Sequence, residues 1–283
     1  MHEEIESQHS MLTSLRLPEL TSPKDCIFIG NGDSYVAGLI SSYVSSFRSL
    51  CLTPLDIITF PKVSEGRHVY FVSVSGNTAA NIRAAKVMNT RNVPSTAITM
   101  DRNSPIAKIC NDVIKIDVPE SKEVTSGTLT FTASTVICLS LISDIANTAL
   151  IPEIYENCKE SCQDYEDVNF KEQAYVILGN DFLYPCAMYG KLKINEIFGF
   201  PSIAYSSDEF FHAPIFGTRL TDYILLLEKK GIKQKEKKAI SKLLSKVGIK
   251  NVSINCGNKS IFEIILTSIF LQQIIFVNQC IVA

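Results

Sequence analysis

The sequence predicts an α/β protein with doubly wound parallel sheets, organised as two similar units in tandem. Three observations predict this class: short apolar runs alternate with helical patterns, the runs lack the polar alternation of half-exposed strands, and the element order restarts after a polar break. The break spans residues 151–172 and holds seven acidic side chains, two cysteines and one proline. We therefore predict one unit over 1–150 and a second over 151–283.

The first unit is predicted to contain five strands separated by helices. The strands are expected, in order, at 26–29, 56–60, 69–73, 95–100 and 113–118. The helices are expected at 34–47, 78–88 and 130–150. Because the apolar runs are continuous, both faces of their sheet should be covered by helices.

The second unit repeats this order of elements. Strands are expected at 174–178, 202–205, 223–227 and 252–255, and helices at 185–198, at 235–247 and from 261 onward. The first strand of each half ends in a similar way, with Gly30-Asn31 in one and Gly179-Asn180 in the other, and a tyrosine follows four residues after each asparagine. The coincidence of this echo with the same element order favours a duplicated α/β unit.

The charge balance excludes several classes of partner. With 27 basic and 29 acidic side chains the formal net charge is −2, so neither a general nucleic-acid coat nor a polybasic membrane binder is expected. All nine basic residues within 229–250 are lysines, and they surround an apolar helical face without interleaved aromatic residues. A solvated helix face is therefore favoured over a phosphate-backbone patch.

The cysteines and the terminal segments predict a cytoplasmic protein without a metal or an organic cofactor. Nine cysteines, mostly within apolar runs, are typical of buried thiols in a reducing compartment. Only Cys158 and Cys162 are closely spaced, and no neighbouring histidine or cysteine completes a zinc site. The acidic N-terminal segment lacks the pattern of a secretory signal, and five polar residues interrupt the apolar stretch 261–283.

The strongest local signal for a ligand site is Ser73-Val74-Ser75-Gly76-Asn77-Thr78, where a strand ends and a helix begins. Helix N-terminal amides, a glycine and three hydroxyls can together bind a phosphate group. The alternative is a Ser/Thr-rich N-cap of an ordinary helix. Two similar helix starts, at 30–34 and 126–128, should lie beyond the carboxyl ends of the strands as well.

The second half carries further candidate residues. Lys193 and Glu196 are three positions apart on one predicted helix and so share a face, which is also the spacing of a surface ion pair. His212 lies in a loop, flanked by Phe211 and Ala213. Taken alone, such a histidine is more often a packed structural side chain than a catalytic one.

These motifs together resemble the sugar isomerase (SIS) domain family. Its phosphosugar loop reads S-x-S-G-x-T, as residues 73–78 do, and its first loop, G-x-G-T-S-Y, is similar to residues 30–35 with Asp33 in place of threonine. In the second half the order Tyr-Pro, K-I-N-E-I and E-F-F-H-A-P resembles the isomerase half of glucosamine-6-phosphate synthase, with sixteen positions from Glu196 to His212. The sequence S-G-N-T at residues 75–78 is also similar to that of archaeal phosphosugar isomerases.

The resemblance implies two tandem flavodoxin-like SIS subdomains, each with a five-stranded parallel sheet flanked by helices. It implies an aldose–ketose isomerase for a hexose or hexosamine 6-phosphate, in which Glu196 moves the proton, Lys193 stabilises the enediolate and His212 assists ring opening from the neighbouring subunit of a homodimer. The implied substrate-binding residues are Gly32, Ser34, Ser73, Val74, Ser75, Gly76, Asn77, Thr78, Val124 and Ser126.

Departures from the family pattern keep two alternatives open. Met1 is followed by His2 rather than by a nucleophilic cysteine, so glutamine-dependent synthesis is not expected, and the chain stops at Ala283, before the family's lysine-bearing tail. The glycine of the family's H-G-P motif is Ala213. The alternatives are a glucosamine-6-phosphate deaminase on the same scaffold and a phosphosugar sensor without catalytic activity.

Overall fold

The computed structural model describes residues 2–18, 25–119, 127–143, 173–229, 234–256, 265, 267–269 and 271–275. The chain forms two compact units, one comprising Glu6–Ile151 and the other comprising Pro152–Ala283 together with Met1–Ile5. The predicted boundary at 150/151 falls outside the described residues, as do Cys158 and Cys162.

The unit Glu6–Ile151 contains a five-stranded, fully parallel sheet. Its strands are β1 (Cys26–Ile29), β2 (Leu50–Leu52), β3 (His68–Val72), β4 (Ser95–Thr99) and β5 (Asp112–Lys115), in the spatial order β2-β1-β3-β4-β5. This is the flavodoxin-like order, and the direction of winding changes between β1 and β3. A crevice for a ligand is therefore expected where the loops after β1 and β3 diverge.

Helices cover this sheet on both faces. The helices of this unit are α2 (Gln8–Ser14), α3 (Asp33–Val44), α4 (Pro54–Thr59), α5 (Ala79–Thr90) and α6 (Leu129–Ser140). The N-terminal helix α1 (His2–Glu6) belongs to the other unit except for its last residue. Alternate strand residues such as Ile27, Ile29 and Phe71 pack in one buried cluster with Ile57 of α4 and Met88 of α5. Because the strand side chains point alternately to the two faces, the remaining residues of β1 are buried on the side of α3.

The predicted strand at 56–60 is wrong, because this segment belongs to helix α4. Thr53 caps α4: its hydroxyl accepts from the Asp56 amide at 3.2 Å, and the Asp56 carboxylate accepts from the Thr53 amide at 2.9 Å. Pro54 occupies the first helical turn, where its missing N–H has no cost. The β-branched run that suggests a strand is thus overridden by a capping box, and the second strand is instead Leu50–Leu52.

Helices α1 and α2 were not predicted, and the remaining elements of this unit agree with the prediction apart from their ends. Strand β5 ends at Lys115 rather than at 118, and α6 ends at Ser140, with 144–150 outside the described residues. In the two units together, six of the described cysteines are free thiols, and four of these six are buried.

The second unit contains a parallel sheet of four described strands, which correspond to the four strands expected from the sequence pattern. The fifth strand that the family resemblance implies is not found among the described residues of this unit. The strands are β6 (Tyr175–Leu178), β7 (Ser202–Tyr205), β8 (Tyr223–Lys229) and β9 (Lys250–Cys256), ordered β7-β6-β8-β9. The helices are α7 (Leu183–Phe198), α8 (Ser207–His212) and α9 (Gln234–Lys246), and residues 265, 267–269 and 271–275 are also helical. The order repeats the first four positions of the other sheet, with the switch between β6 and β8.

The sequence echo between the halves corresponds to the same local structure. A Cβ built on Gly30 would lie 2.7 to 2.9 Å from the backbone of Ser34 and Tyr35, and one built on Gly179 would overlap the backbone of Leu183. In both loops the asparagine carbonyl accepts a hydrogen bond from the first turn of the following helix. Glycine is required at both positions because the helix passes close to the end of the strand.

Within the described residues, no helix combines the length and the apolar character needed to cross a bilayer.

Candidate functional site

The loop after β3 has the form expected of an anion-binding turn. Ser73 follows the strand directly, and its amide donates to the Ile98 carbonyl at 2.9 Å. The Ser73 side chain is 3% exposed, and its hydroxyl has no hydrogen-bond partner among the described residues. A buried hydroxyl with unused bonding capacity is suited to a ligand oxygen.

Thr78 is the N-cap residue of α5, but its side chain makes no capping hydrogen bond. The alternative that these hydroxyls serve only to cap the helix therefore does not apply to Thr78. The first-turn amides of α5 have no acceptor within the helix, because no earlier turn precedes them. Thr78, Ser75 and Asn77 are exposed, so hydroxyl, carboxamide and amide groups face solvent at a helix N-terminus.

Gly76 gives this loop its shape. Its φ is +65°, and a Cβ at this position would overlap the Ser104 side chain and lie 3.0 Å from the Thr99 hydroxyl. The same neighbours hold the loop: Thr99 Oγ1 donates to the Val74 carbonyl at 3.0 Å, and the Ile106 amide donates to the Gly76 carbonyl at 3.3 Å. Only glycine fits both the backbone conformation and the space.

Sequence reasoning missed Thr99, Ser104 and Asn81. Ser104 is 1% exposed, and its hydroxyl, like that of Ser73, has no hydrogen-bond partner among the described residues. Asn81 is buried in the first turn of α5, with its amide nitrogen 3.4 Å from the Val72 carbonyl. The available signal was that Thr99 ends β4 and that Ser104 lies in the segment after it, because the carboxyl end of β4 adjoins that of β3.

The loop after β1 lies at the same edge of the sheet. Gly32 is the N-cap residue of α3, with φ +54°, and Ser34 is half-buried in the first turn. The Ser34 amide donates to the Asn31 carbonyl at 3.1 Å, which holds the turn at the start of α3. Because β1 and β3 are neighbours on either side of the switch point, both predicted loops border the expected crevice. Val124 and Ser126 lie outside the described residues.

In the other unit, helix α7 brings Lys193 and Glu196 together. Lys193 Nζ lies 2.6 Å from Glu196 Oε2. The Lys193 side chain is fully buried, whereas the Glu196 side chain is 44% exposed. The pair is therefore not an ordinary surface ion pair, because burying an ammonium group is costly and is tolerated where it is paired.

The prediction that His212 lies in a loop is wrong, because His212 is the last residue of helix α8. The helix is capped by Ser206, whose hydroxyl accepts from the Glu209 amide at 3.3 Å, and it is anchored by the buried Phe210. The His212 side chain is exposed, so the alternative of a packed structural histidine is not what the fold shows. Within the described part of the chain, its ring makes no hydrogen bond or ion pair with Lys193 or Glu196.

The chain is similar to enzymes that are named for reactions of sugar phosphates. Residues 19–143 match the family model of the SIS domain. The chain is 24% identical over 253 residues to glutamine–fructose-6-phosphate aminotransferase (isomerizing) of Methanosarcina acetivorans, covering 76% of this chain and 41% of that protein. The corresponding protein of Methanothermobacter thermautotrophicus is 26% identical over 214 residues, covering 66% of this chain and 34% of its own length. The chain thus spans about two fifths or less of these relatives.

Solved structures share the fold. Glucosamine-6-phosphate deaminase from Thermotoga maritima superposes with a TM-score of 0.82 at 20% identity, covering 100% of this chain and 94% of that one. Tagatose-6-phosphate ketose/aldose isomerase from Escherichia coli gives a TM-score of 0.78 at 13% identity, covering 99% and 92%. These likenesses establish an α/β fold with parallel sheets. The match to the SIS family model covers residues 19–143, whereas the likeness in fold extends over nearly the whole chain.

Proposed function

We propose that this protein is a phosphosugar aldose–ketose isomerase, acting on a hexose 6-phosphate or a hexosamine 6-phosphate through an enediol intermediate. The observation that carries the proposal is the pair on α7, in which a fully buried ammonium lies 2.6 Å from a carboxylate that is 44% exposed. We further propose that both units are SIS subdomains.

The phosphate and the sugar hydroxyls would be held by the loops at the switch point of the first sheet. The proposed contacts are the side chains of Ser34, Ser73, Ser75, Asn77 and Thr78 and the backbone of Gly32, Val74 and Gly76, with Val124 and Ser126 completing the set. Neutral hydroxyls and backbone amides suffice for a single phosphate group, which agrees with a net charge of only −2.

Glu196 would transfer the proton. Its carboxylate takes a proton from C1 or C2 of the open-chain sugar and returns it to the other carbon, so that no net oxidation occurs. The Lys193 ammonium would stabilise the negative charge that develops on the enediolate oxygen, and it does so best where water is excluded, as its burial supports. His212 would assist ring opening.

Proton exchange with solvent tests this proposal directly. The protein is incubated in deuterated water with a panel of hexose and hexosamine 6-phosphates, and deuterium at C1 and C2 is followed by proton NMR. We expect incorporation with at least one sugar, and loss of incorporation in Glu196→Gln. Glu65→Gln, which alters an exposed carboxylate in the other unit, is the matched control and should retain full exchange. Full exchange in Glu196→Gln would overturn the role of the carboxylate.

The alternatives differ in the products that form in the same incubation. A deaminase would release ammonia from glucosamine 6-phosphate, which is the substrate named for the Thermotoga maritima structure. A sensor would bind a sugar phosphate without deuterium incorporation. The retention of a buried lysine against a carboxylate favours an enzyme, because a sensor needs only the hydroxyl loops.

We also propose a homodimer in which His212 reaches the partner's site, consistent with its exposed position at the end of α8. Mixing inactive Glu196→Gln with inactive His212→Ala after mild dissociation should then restore part of the activity, because mixed dimers contain one intact site. No recovery in mixed dimers would show that His212 acts within its own subunit. A cytoplasmic location is proposed as well, and the six described free thiols support it.

A further inference from the structure

We propose that Tyr189 and Gln272 are positioning residues that hold the Lys193 ammonium against Glu196. This inference rests on the proposed function for its kinetic consequences, but its structural core, the restraint on Lys193, can be measured without any turnover.

The three residues of α7 form a stack along one helix face. Tyr189, Lys193 and Glu196 are separated by four and three positions, the spacing that places side chains above one another. Lys193 Nζ lies over the Tyr189 ring, 5.2 Å from its centroid, and 2.6 Å from Glu196 Oε2. The ammonium is therefore held between the electron-rich face of an aromatic ring and a carboxylate, and its full burial makes the ring attraction stronger than at an exposed site.

Gln272 holds the Tyr189 ring through its hydroxyl group. Its Nε2 donates a hydrogen bond of 2.8 Å to the Tyr189 hydroxyl, and both side chains are fully buried. Gln272 belongs to the helical segment 271–275, in which Leu271, Ile274 and Ile275 are buried. A carboxamide among such residues is costly unless it is hydrogen-bonded, and the bond to Tyr189 accounts for its presence in an otherwise apolar stretch.

The consequence is a fixed direction for the ammonium. A lysine side chain has many rotamers, and the ring, itself restrained by Gln272, removes most of them before substrate binds. The Lys193 ammonium is then already oriented when the transition state forms, and electrostatic stabilisation is most effective when the charge needs no reorientation. Loosening this support should lower kcat and leave KM nearly unchanged, because the proposed phosphate contacts are made by other residues.

Three single variants and one double variant separate the effect of the ring from that of its hydrogen bond. Tyr189→Phe and Gln272→Leu each remove the bond and keep the ring, and we expect each to lower kcat about tenfold with KM within about twofold. The double variant should lower kcat by less than the product of the two single effects, because both single variants remove this hydrogen bond. Tyr189→Leu removes the ring and should lower kcat about 100-fold.

Tyr175→Phe is the matched control. Tyr175 is also a buried tyrosine whose hydroxyl accepts from a glutamine, Gln173, at 3.3 Å. The free energy of unfolding should fall by a similar amount in Tyr175→Phe and Tyr189→Phe, but Tyr175→Phe should keep the wild-type kcat. Equal losses of kcat in Tyr175→Phe and Tyr189→Phe, or independent multiplication of the two single effects in the double variant, would overturn the proposal.

Chemical labelling of amines gives a readout that does not depend on activity. Acetic anhydride labelling, followed by peptide mass spectrometry, compares Lys193 with Lys191, a half-buried lysine two residues earlier on the same helix. We expect Lys193 to be protected in the wild type, and its labelling relative to Lys191 to rise at least about threefold in Tyr189→Leu and Gln272→Leu. An unchanged ratio would overturn the proposed restraint. If the wild type turns over no sugar phosphate, the proposed function fails, but this ratio still decides whether Tyr189 and Gln272 hold the lysine.

Discussion

Lys193 and Glu196 are 2.6 Å apart, yet one side chain is fully buried and the other is 44% exposed. Such a pair does not primarily stabilise the fold, because the ammonium loses its hydration while the carboxylate keeps much of its own. An arrangement that costs stability is typical of residues retained for function. Its energetic signature can be measured in variants of each partner.

Lys193→Met should leave the free energy of unfolding unchanged or raise it by up to about 2 kcal/mol, because it replaces a buried charge by an apolar side chain of similar length. Glu196→Gln should lower it by about 1–3 kcal/mol, since the ammonium then stays buried without its counter-charge, and the exposure of Glu196 moderates the loss. Urea unfolding at pH 7 measures both.

The exposed pair of Lys115 and Asp117, 2.9 Å apart, provides the control for these two variants. Lys115→Met should leave the free energy of unfolding unchanged within error, because both side chains are hydrated. A loss of more than about 2 kcal/mol in Lys193→Met would mean that the pair is structural.

The burial of Lys193 could not be predicted from the sequence. The spacing of Lys193 and Glu196 predicts a shared helix face, and the structure confirms it, but the spacing carries no information on burial. Burial depends on segments far away in the sequence, such as the one that carries Gln272, 83 positions from Tyr189. The same holds for Ser104, which lies beside Gly76 of the loop after β3 only because β3 and β4 are neighbours.

Local signals predicted most elements of the first sheet, with one instructive failure. The run at 56–60 has strand-like composition, but Thr53, Pro54 and Asp56 together form a helix start that the run cannot override. A capping box is readable from sequence, so this error was avoidable. In the second sheet the sequence pattern predicted the four strands that the structure describes, whereas the fifth strand implied by the family resemblance is not among the described residues.

Gly76→Ala should weaken binding of inorganic phosphate and of sugar phosphates at least about tenfold. The new methyl group would overlap Ser104, and the left-handed φ of +65° would strain the loop by about 1–2 kcal/mol in addition. Isothermal titration calorimetry measures the affinity, and urea unfolding measures the stability.

Gly66→Ala is the control for Gly76→Ala, because Gly66 has a similar φ of +71° but no atom within 4 Å of the added methyl group. It should show the backbone strain alone, with unchanged phosphate affinity. Adding Ser104→Gly to Gly76→Ala should recover part of the lost affinity. Equal effects at positions 66 and 76 would contradict the role assigned to Ser104.

Thr53→Ala should lower the free energy of unfolding by about 1 kcal/mol, because it removes the side-chain acceptor that caps α4. Thr53→Ser keeps the hydroxyl and should cost only a few tenths of a kcal/mol. Urea unfolding of the two variants at pH 7 compares them. Equal losses in both would mean that the methyl group, and not the cap, stabilises this segment.

The stability of the first unit should fall at alkaline pH because of its buried thiols. Burial raises the pKa of Cys26 from its usual value of 9.0 to about 12, and that of Cys110 to about 11. Below pH 9 the thiol is protonated in both the folded and the unfolded chain, so the pKa difference has no effect. Between pH 9 and the folded pKa the unfolded chain releases the proton and the folded chain does not, which favours unfolding.

Cys26 should therefore cost the wild type about 1.4 kcal/mol of unfolding free energy per pH unit across that window. Cys26→Ala removes this titration, so its stability relative to the wild type should improve by about 1–2 kcal/mol between pH 8 and pH 10.5. Urea unfolding at the two pH values measures the change, and the cost of the truncated side chain cancels because it is present at both. A stability difference that stays constant over this range would show that the Cys26 thiol ionises as easily in the folded chain as in the unfolded one.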